Sequence, residues 1–295
     1  MAPSAHVTDA IRCIADVRAN VGEGPVWVES EQALYWVDNK GNRIFRLGES
    51  GDVETLETPF QVCCIAPKSS GGFIAGTDRG FAAVDPAHAR FDIIANPEAA
   101  LPGNRFNDGK TDAQGRFWSG TMDNAEKATT GSLYRLDPDL RWTKMDSGYH
   151  VTNGPAFDPQ RGRMYHTDSA PRTIYAFDVS DSGELGGKRV FMQFGEADGH
   201  PDGMTVDSRG DLWVCFWDGW CLRRISPGGE VLDRIAMPVQ RPTSCAFGGP
   251  DLDRLYVTSA CKGLNAESLA MQPCAGGLFL VETDSRGVAQ APFAG

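Results

Sequence analysis

No stretch of about 18 apolar residues occurs anywhere in the chain, and a helix that crosses a bilayer needs at least that much. Basic residues are also scarce: 28 Lys and Arg stand against 39 Asp and Glu, a net charge of −11. Nucleic acid is bound by a basic face that displaces counterions, and an acidic surface is repelled by anionic lipid. Neither nucleic acid nor a membrane is therefore expected as a partner. The opening MAPSAHVTDAIRCIADV lacks the basic start and apolar run of a secretory leader. None of the eight cysteines forms a Cys-x-x-Cys pair, and a chain of 295 residues needs no disulfide staples. Reduced thiols and a cytoplasmic location are expected, with several cysteines buried as small hydrophobes.

Whole reaction classes are missing their signatures as well. His6, His88, His150, His166 and His200 make no His-x-x-x-His pair of a zinc hydrolase. There is no Gly-x-Ser-x-Gly elbow, no phosphate loop, no dinucleotide fingerprint and no three-carboxylate EF-hand loop. No amphipathic helical stretch of useful length is present. With 41% hydrophobic and 23% charged residues, the chain nevertheless has enough apolar material for an ordered core.

What fills the chain is a repeat. Six segments read as β-hairpins, apolar and polar residues alternating around a turn rich in Gly, Asp, Asn or Pro. They begin at Ala33 (ALYWVDNKGNRIFRL), Gly71, Gly115, Gly162, Gly210 (GDLWVCFWDGWCLRRIS) and Asp253. Each is preceded by a further short strand: GEGPVWV, QVCCIAP, NDGKTDA, NGPAFDP, DGMTVDS and TSCAFGG. Most are followed by another extended piece, such as VETLETP or EVLDRIAM. About four strands per unit and a period of roughly 40 to 50 residues describe propeller blades. The expected fold is all-β, a six-bladed β-propeller forming one domain over residues 1–295. Two sandwich domains are the all-β alternative, and the single repeated pattern argues against them.

The first strand of every propeller blade lines the central channel, so equivalent positions converge there. Those positions hold Glu23, Cys63 or Cys64, Asn107, Asn153, Asp202 and Ser244. Three blocks keep one distance to a later aspartate: Asn107 to Asp112, Asn153 to Asp158, Asp202 to Asp207. Glu23, Asn107, Asn153 and Asp202 would gather oxygen donors and two negative charges at the channel mouth. That set suits a hard divalent cation such as Ca²⁺, Mg²⁺ or Mn²⁺. Each residue alone reads more readily as a turn residue than as a ligand; the coincidence at repeat-equivalent positions favours the metal. Arg105 stands two residues before Asn107, where it could reach a substrate oxygen or form a surface ion pair. His150 and His200 precede Asn153 and Asp202 and could border the site, although a structural or solvated histidine is the default for each. The aromatic run Phe216–Trp220 could line the mouth or, as the default, pack between blades.

These blocks make the chain recognisable. GEGPVW, ALYWVD, NRFNDGKTDAQGRFWSGTM, TNGPAFDP, PDGMTVDSRGDLWV and FGGPDLDRLYVTSA run in order and resemble the gluconolactonase and regucalcin (senescence marker protein) family, more closely its bacterial sugar-lactonase branch. The resemblance implies one divalent metal held by Glu23, Asn153 and Asp202, with Asp202 also the general base. It implies substrate binding by Arg105 and Asn107. A Glu that some members carry after the Gly-Thr-Met block has Asp123, Asn124 and Glu126 as candidates here. The metal could be Ca²⁺, Zn²⁺, Mn²⁺, Mg²⁺ or Fe²⁺, acting as a Lewis acid on a lactone carbonyl. The expected substrate is a small sugar lactone (glucono-, xylono-, arabinono- or galactono-, 1,5 or 1,4) opened to its aldonic acid. The competing readings are a related propeller esterase or phosphotriesterase, and a calcium-binding regulatory propeller without turnover. Neither the oligomeric state nor the choice of sugar is written in the sequence.

Overall fold

A computed structural model of the chain describes residues 10–295; His6 and most of the N-terminal stretch that lacks the pattern of a leader lie outside the described residues. Strand β1 is Ile11–Ala15. Blade 1 follows as β2 (Gly22–Val28), β3 (Ala33–Asp38), β4 (Arg43–Leu47) and β5 (Val53–Glu57). Blade 2 is β6 (Val62–Pro67), β7 (Phe73–Thr77), β8 (Gly80–Asp85) and β9 (Arg90–Ala95). Blade 3 is β10 (Asn104–Thr111), β11 (Phe117–Asp123), β12 (Gly131–Leu136) and β13 (Trp142–Tyr149). Blade 4 is β14 (Thr152–Asp158), β15 (Arg163–Asp168), β16 (Thr173–Val179) and β17 (Leu185–Gln193). Blade 5 is β18 (His200–Val206), β19 (Leu212–Trp217), β20 (Cys221–Ile225) and β21 (Val231–Ala236). Blade 6 holds β22 (Pro242–Gly248), β23 (Arg254–Ser259) and β24 (Leu278–Glu282).

Six four-stranded antiparallel sheets result, a six-bladed β-propeller, and each of the six first strands read from sequence is the innermost strand of its blade. The fourth strand of blade 6 is β1, paired along β24, so the two ends of the chain share one sheet. This latch closes the ring, and β2 packs directly against β22. A closed ring leaves only short outer edges exposed. The outer strands carry the charge (VETLE, VLDRIA), while the inner two of each blade are nearly continuous in buried residues.

The apolar residues divide into clusters that each lie between consecutive blades. Val26, Tyr35 and Ile44 of blade 1 meet Val62, Ile65 and Phe73 of blade 2. Trp118 and Leu133 of blade 3 meet Met164 and Phe177 of blade 4. Leu34, Trp36 and Phe45 close the circle on Tyr256, Leu278 and Ala15. Every sheet therefore buries both faces, which explains the lack of strict polar alternation in the inner strands.

Two additions to the ring shape the site. Between β23 and β24 the chain makes an excursion with one short helix, α1 (Ala266–Met271), capped by Asn265, whose Oδ1 accepts from Ser268 N at 2.8 Å. The C-terminal segment crosses the far ends of the inner strands. Ser208 N donates to Arg286 O (2.8 Å), Phe293 N to Pro67 O (2.7 Å) and Ala294 N to Gly115 O (3.0 Å). Phe293 is itself buried among blades 2 and 3. A cavity of about 390 Å³ lies on this strapped face, bounded by Ala289, Gln290 and Ala291. Among the described residues, no helix is long and apolar enough to cross a membrane.

His166 has a structural role. It is fully buried in β15, edge-on to the Tyr149 ring at 4.8 Å, with neither ring nitrogen hydrogen-bonded. Burial pushes its pKa down to about 3, with the Asp146 carboxylate opposing and the Lys188 ammonium assisting. A depressed histidine pKa stabilises the fold above the unfolded value of about 6.5, and that stability is lost as pH falls below it. Acidification from pH 7.5 to pH 5 should therefore cost about 2 kcal/mol through this one group. His166→Phe, which fills the same apolar space without a titrating nitrogen, should remove that component. Urea denaturation of both proteins at the two pH values checks this, and equal pH dependence would refute it.

Candidate active site

The innermost strands share an irregularity where they face the channel. The register with the second strand shifts between Glu23 and Val26, Phe106 and Gly109, Asn153 and Ala156, Pro201 and Met204, and Pro242 and Cys245. In each case three residues span what two span on the partner, a β-bulge that re-aims side chains. Glu23 and Asn153 are the last paired residues before the shift, whereas Asn107 and Asp202 lie within it. The blade equivalence drawn from sequence is thus correct to within one residue for Glu23, Asn107, Asn153 and Asp202, whereas Ser244 is two residues past the equivalent Pro242.

Local chemistry sets these strands in place. Asp38, at the end of β3, accepts from Asn20 N (2.9 Å) and Val21 N (3.0 Å) and pairs with Arg43 at 2.7 Å. Asp168, the corresponding end of β15, accepts from His150 N (3.1 Å) and Val151 N (2.9 Å). Each carboxylate therefore holds the two amides that lead into Glu23 or Asn153. Only glycine fits at position 41, because a Cβ there would overlap the Asp38 carboxylate.

The two aspartates deliver their strands to one pocket of about 220 Å³ at the end of the channel opposite the C-terminal strap. Glu23, Arg105, Asn107, Glu126, Asn153 and Asp202 all line it. Asp123 is the exception. Its carboxylate accepts from Ala125 N (3.1 Å), Lys127 N (3.0 Å) and Ala128 N (3.0 Å), which shape the loop that carries Glu126. The three amides hold Asp123 below the ordinary carboxylate range. Its expected role as a sugar contact gives way to that of a turn former, because its oxygens already serve the backbone. Asn124 also stays out of the pocket lining but touches two residues that are in it.

The pocket floor is acidic. Burial, then the Asp202 and Asp108 carboxylates, push Glu23 well above the ordinary range, against the Gly24 amide and Arg105. Burial and then Asp108 raise Asp202 likewise, against the Gly203 amide. Asp108 is pushed up to about 6 by burial; Lys110 and the Gly109 and Gly154 amides oppose this. Among the described residues no salt bridge reaches Glu23, Asp108 or Asp202. No cluster of three His, Cys, Asp or Glu is found among them either; beside Glu23 and Asp202 the pocket holds the Asn153 carboxamide. Buried carboxylates with no cationic partner, beside an amide oxygen, are a donor set that fits a hard divalent ion.

The wall is a network of amides. Asn107 Nδ2 donates to Asn153 Oδ1 (3.0 Å) and Thr152 O (2.6 Å), and Asn153 Nδ2 donates to Ser169 Oγ (2.8 Å). These bonds fix the Asn153 carboxamide in orientation, its Nδ2 on Ser169 and its Oδ1 on the side of Asn107. Arg105 Nη1 donates to Asn107 Oδ1 (2.6 Å) and Phe106 O (2.8 Å). With its amide engaged on both ends, Asn107 orients Asn153 and Arg105. His200 Nδ1 lies 2.9 Å from Ser169 O, and His150 Nε2 lies 3.0 Å from Glu126 O. Both histidines line the pocket, as does Trp217, under the Arg241 guanidinium at 4.7 Å. Phe216, by contrast, is core between blades 4 and 5.

Sequence reading missed Lys40 and Lys262, which complete the mouth. Neither stands at a position the repeat pattern specifies: Lys40 is in the turn of the first hairpin, and Lys262 is at the base of the α1 excursion.

Comparison with known proteins agrees with this architecture. Residues 21–261 match the family described as SMP-30/Gluconolactonase/LRE-like region. The 6-deoxy-6-sulfogluconolactonase of Pseudomonas putida is 36% identical, covering 98% of this chain and 100% of its own. The L-arabinolactonase of Azospirillum brasilense is 35% identical, covering 98% and 97%. A crystal structure from Agrobacterium tumefaciens, described as a calcium-binding protein, regucalcin, superposes with a TM-score of 0.92 at 26% identity, covering 96% of each chain. On the family match, which spans five blades and the two inner strands of the sixth, the chain belongs to the SMP-30/gluconolactonase/LRE-like family.

Proposed function

We propose that this protein is a metal-dependent hydrolase that opens a sugar-derived lactone to its aldonic acid. One observation carries the reading: two buried, unpaired carboxylates, Glu23 and Asp202, meet the oriented Asn153 carboxamide at the floor of a pocket walled by Arg105 and Asn107. The names of the relatives support lactones as the substrate class. Glu23, Asn153 and Asp202 would hold the ion. When bound, a divalent ion supplies Lewis-acid polarisation of the lactone carbonyl. Three protein donors leave room beside them for substrate and water.

The remaining work falls to the chain's own groups. Asp202 has two carboxylate oxygens, so it can ligate through one and take the proton of the attacking water at the other. Arg105 is held in place by three hydrogen bonds, to Asn124, Phe106 and Asn107, and lines the pocket, where it can hold a ring hydroxyl or another substituent of the sugar. Glu126 at the mouth is the candidate for a sugar hydroxyl.

The test is proton release from glucono-, xylono-, arabinono- and galactonolactones. It is run on protein stripped with a chelator and then reloaded with Ca²⁺, Mg²⁺, Mn²⁺, Zn²⁺ or Fe²⁺. Acceleration that vanishes on stripping and returns with one or more ions is expected. Metal affinity with no lactone opened above the spontaneous rate would overturn the enzyme and favour a calcium-binding propeller.

A further inference from the structure

The mouth of the pocket reverses the charge balance of the chain. Acidic residues outnumber basic ones 39 to 28 overall. Yet Lys40, Arg105 and Lys262 converge at the mouth, with Glu126 as the carboxylate among them. They come from three different blades, so the convergence is a product of the closed ring.

Their partners do not balance them. Lys262 Nζ takes Glu126 Oε1 at 2.8 Å. Lys40 Nζ and Arg105 Nε both donate to Asn124 Oδ1, at 2.6 Å and 2.9 Å. A carboxamide oxygen accepts both bonds but carries no formal charge to offset two cations. Burial is the main cause that pushes the Lys40 pKa down to about 8; the Arg105 and Lys262 charges add to it and Glu126 opposes. The acidic floor does not compensate either. A divalent ion would balance Glu23 and Asp202, and Lys110 acts electrostatically on Asp108. Even with Asp78, whose carboxylate acts on Arg105 from behind, counted beside Glu126, a lactone bearing only hydroxyl groups would leave net positive charge at the mouth.

We propose that Lys40, Arg105 and Lys262 form an anion subsite that takes a sulfonate, phosphate or carboxylate borne by the sugar lactone at the end remote from its carbonyl. The inference rests on the lactonase reading of the same pocket and narrows its substrate class. Asn124 positions two of the three cations while leaving their charge available. Glu126 sets the position of the third.

Binding of stable acids tests the subsite separately from turnover. The probes are gluconate, 6-phosphogluconate, 6-deoxy-6-sulfogluconate and glucarate, titrated calorimetrically into metal-loaded protein. At least one probe with a distal anion is expected to bind about tenfold or more tightly than gluconate. That ratio should shrink when ionic strength rises from 0.05 to about 0.5 M. Lys40→Gln and Lys262→Gln should each lower the ratio, and Lys40→Arg should keep most of it. Asn124→Asp, which supplies the missing charge from the protein, should lower it too. Equal affinity for all four acids in the wild-type protein overturns the subsite, whatever the variants do. Hydrolysis of neutral lactones with that equality leaves the lactonase reading intact. Preferential binding of a distal anion with no lactone opened overturns the lactonase reading instead.

Discussion

Asp202→Asn is expected to lower kcat/KM for the best sugar lactone by about 10³-fold or more, because it removes a general base and a metal ligand together. The amide retains the shape, so the pocket should survive. Two further measurements separate lost chemistry from lost fold. Metal retained after dialysis should fall, since one anionic donor of two is gone. The stability of the metal-free protein should rise, because Asp202 is a buried acid facing Asp108 with no cation beside it. The sign follows from the raised pKa. An acid whose folded-state pKa lies above the unfolded value contributes stability at low pH that is lost as pH climbs through the folded value. Metal-free wild type should therefore lose stability as pH rises from the ordinary carboxylate range, and Asp202→Asn should lose less. Full activity in the variant would remove the base assignment. A variant that is inactive and also unstable would leave that assignment to Glu23→Gln, which lowers metal affinity but spares the proposed base.

Asp112→Ala should be among the most damaging single changes to the fold, at about 3–5 kcal/mol. Asp112 is buried at the far end of β10 and accepts from Arg116 Nε (2.6 Å), Arg116 N (3.0 Å), Gln114 N (3.0 Å) and Trp118 Nε1 (2.8 Å). Its loss leaves a buried indole N–H without an acceptor and a buried guanidinium without its counter-charge, although Arg116 keeps Asp181 O and Gln114 Oε1. Asp207 does the same work in blade 5, accepting from Arg209 N (2.9 Å), Asp211 N (3.0 Å) and Trp213 Nε1 (3.1 Å). The nearby Arg209 is half exposed and 3.9 Å away, so Asp207→Ala should cost less. Chemical denaturation of the two variants should rank them in that order. A cost below about 1 kcal/mol for Asp112→Ala would mean that these donors find water instead. Lactone opening below the unfolding transition should persist in both, since this turn lies at the end of the channel away from the pocket.

These two positions also mark how much the sequence discloses. The five-residue spacing from Asn107 to Asp112 and from Asp202 to Asp207 is visible as a repeat. What it accomplishes is not: one end of the spacing faces the pocket and the other ties a turn and a tryptophan. In blade 4 the same spacing leads from Asn153 to Asp158, whose partner is Arg161 at 2.9 Å rather than an indole. The count was uniform while the chemistry was not. Asp123 and Glu126 teach a related point. Both are acids after the Gly-Thr-Met block, and only the loop's backbone decides that one serves three amides and the other faces the pocket.

Blades, the inner strand of each blade and the residues those strands bring to the floor were legible in the sequence alone, because a hairpin is specified by residues close together in the chain. Ring closure was decided elsewhere: β1 joins β24 across almost the whole chain, and its five residues belong to no visible repeat. The blind end of the channel likewise depends on a C-terminal strap whose hydrogen bonds reach blades 2, 3, 5 and 6. The cationic mouth is the clearest case. Lys40 meets Asn124 across 84 residues and Lys262 meets Glu126 across 136, contacts that exist only because six sheets pack around one axis.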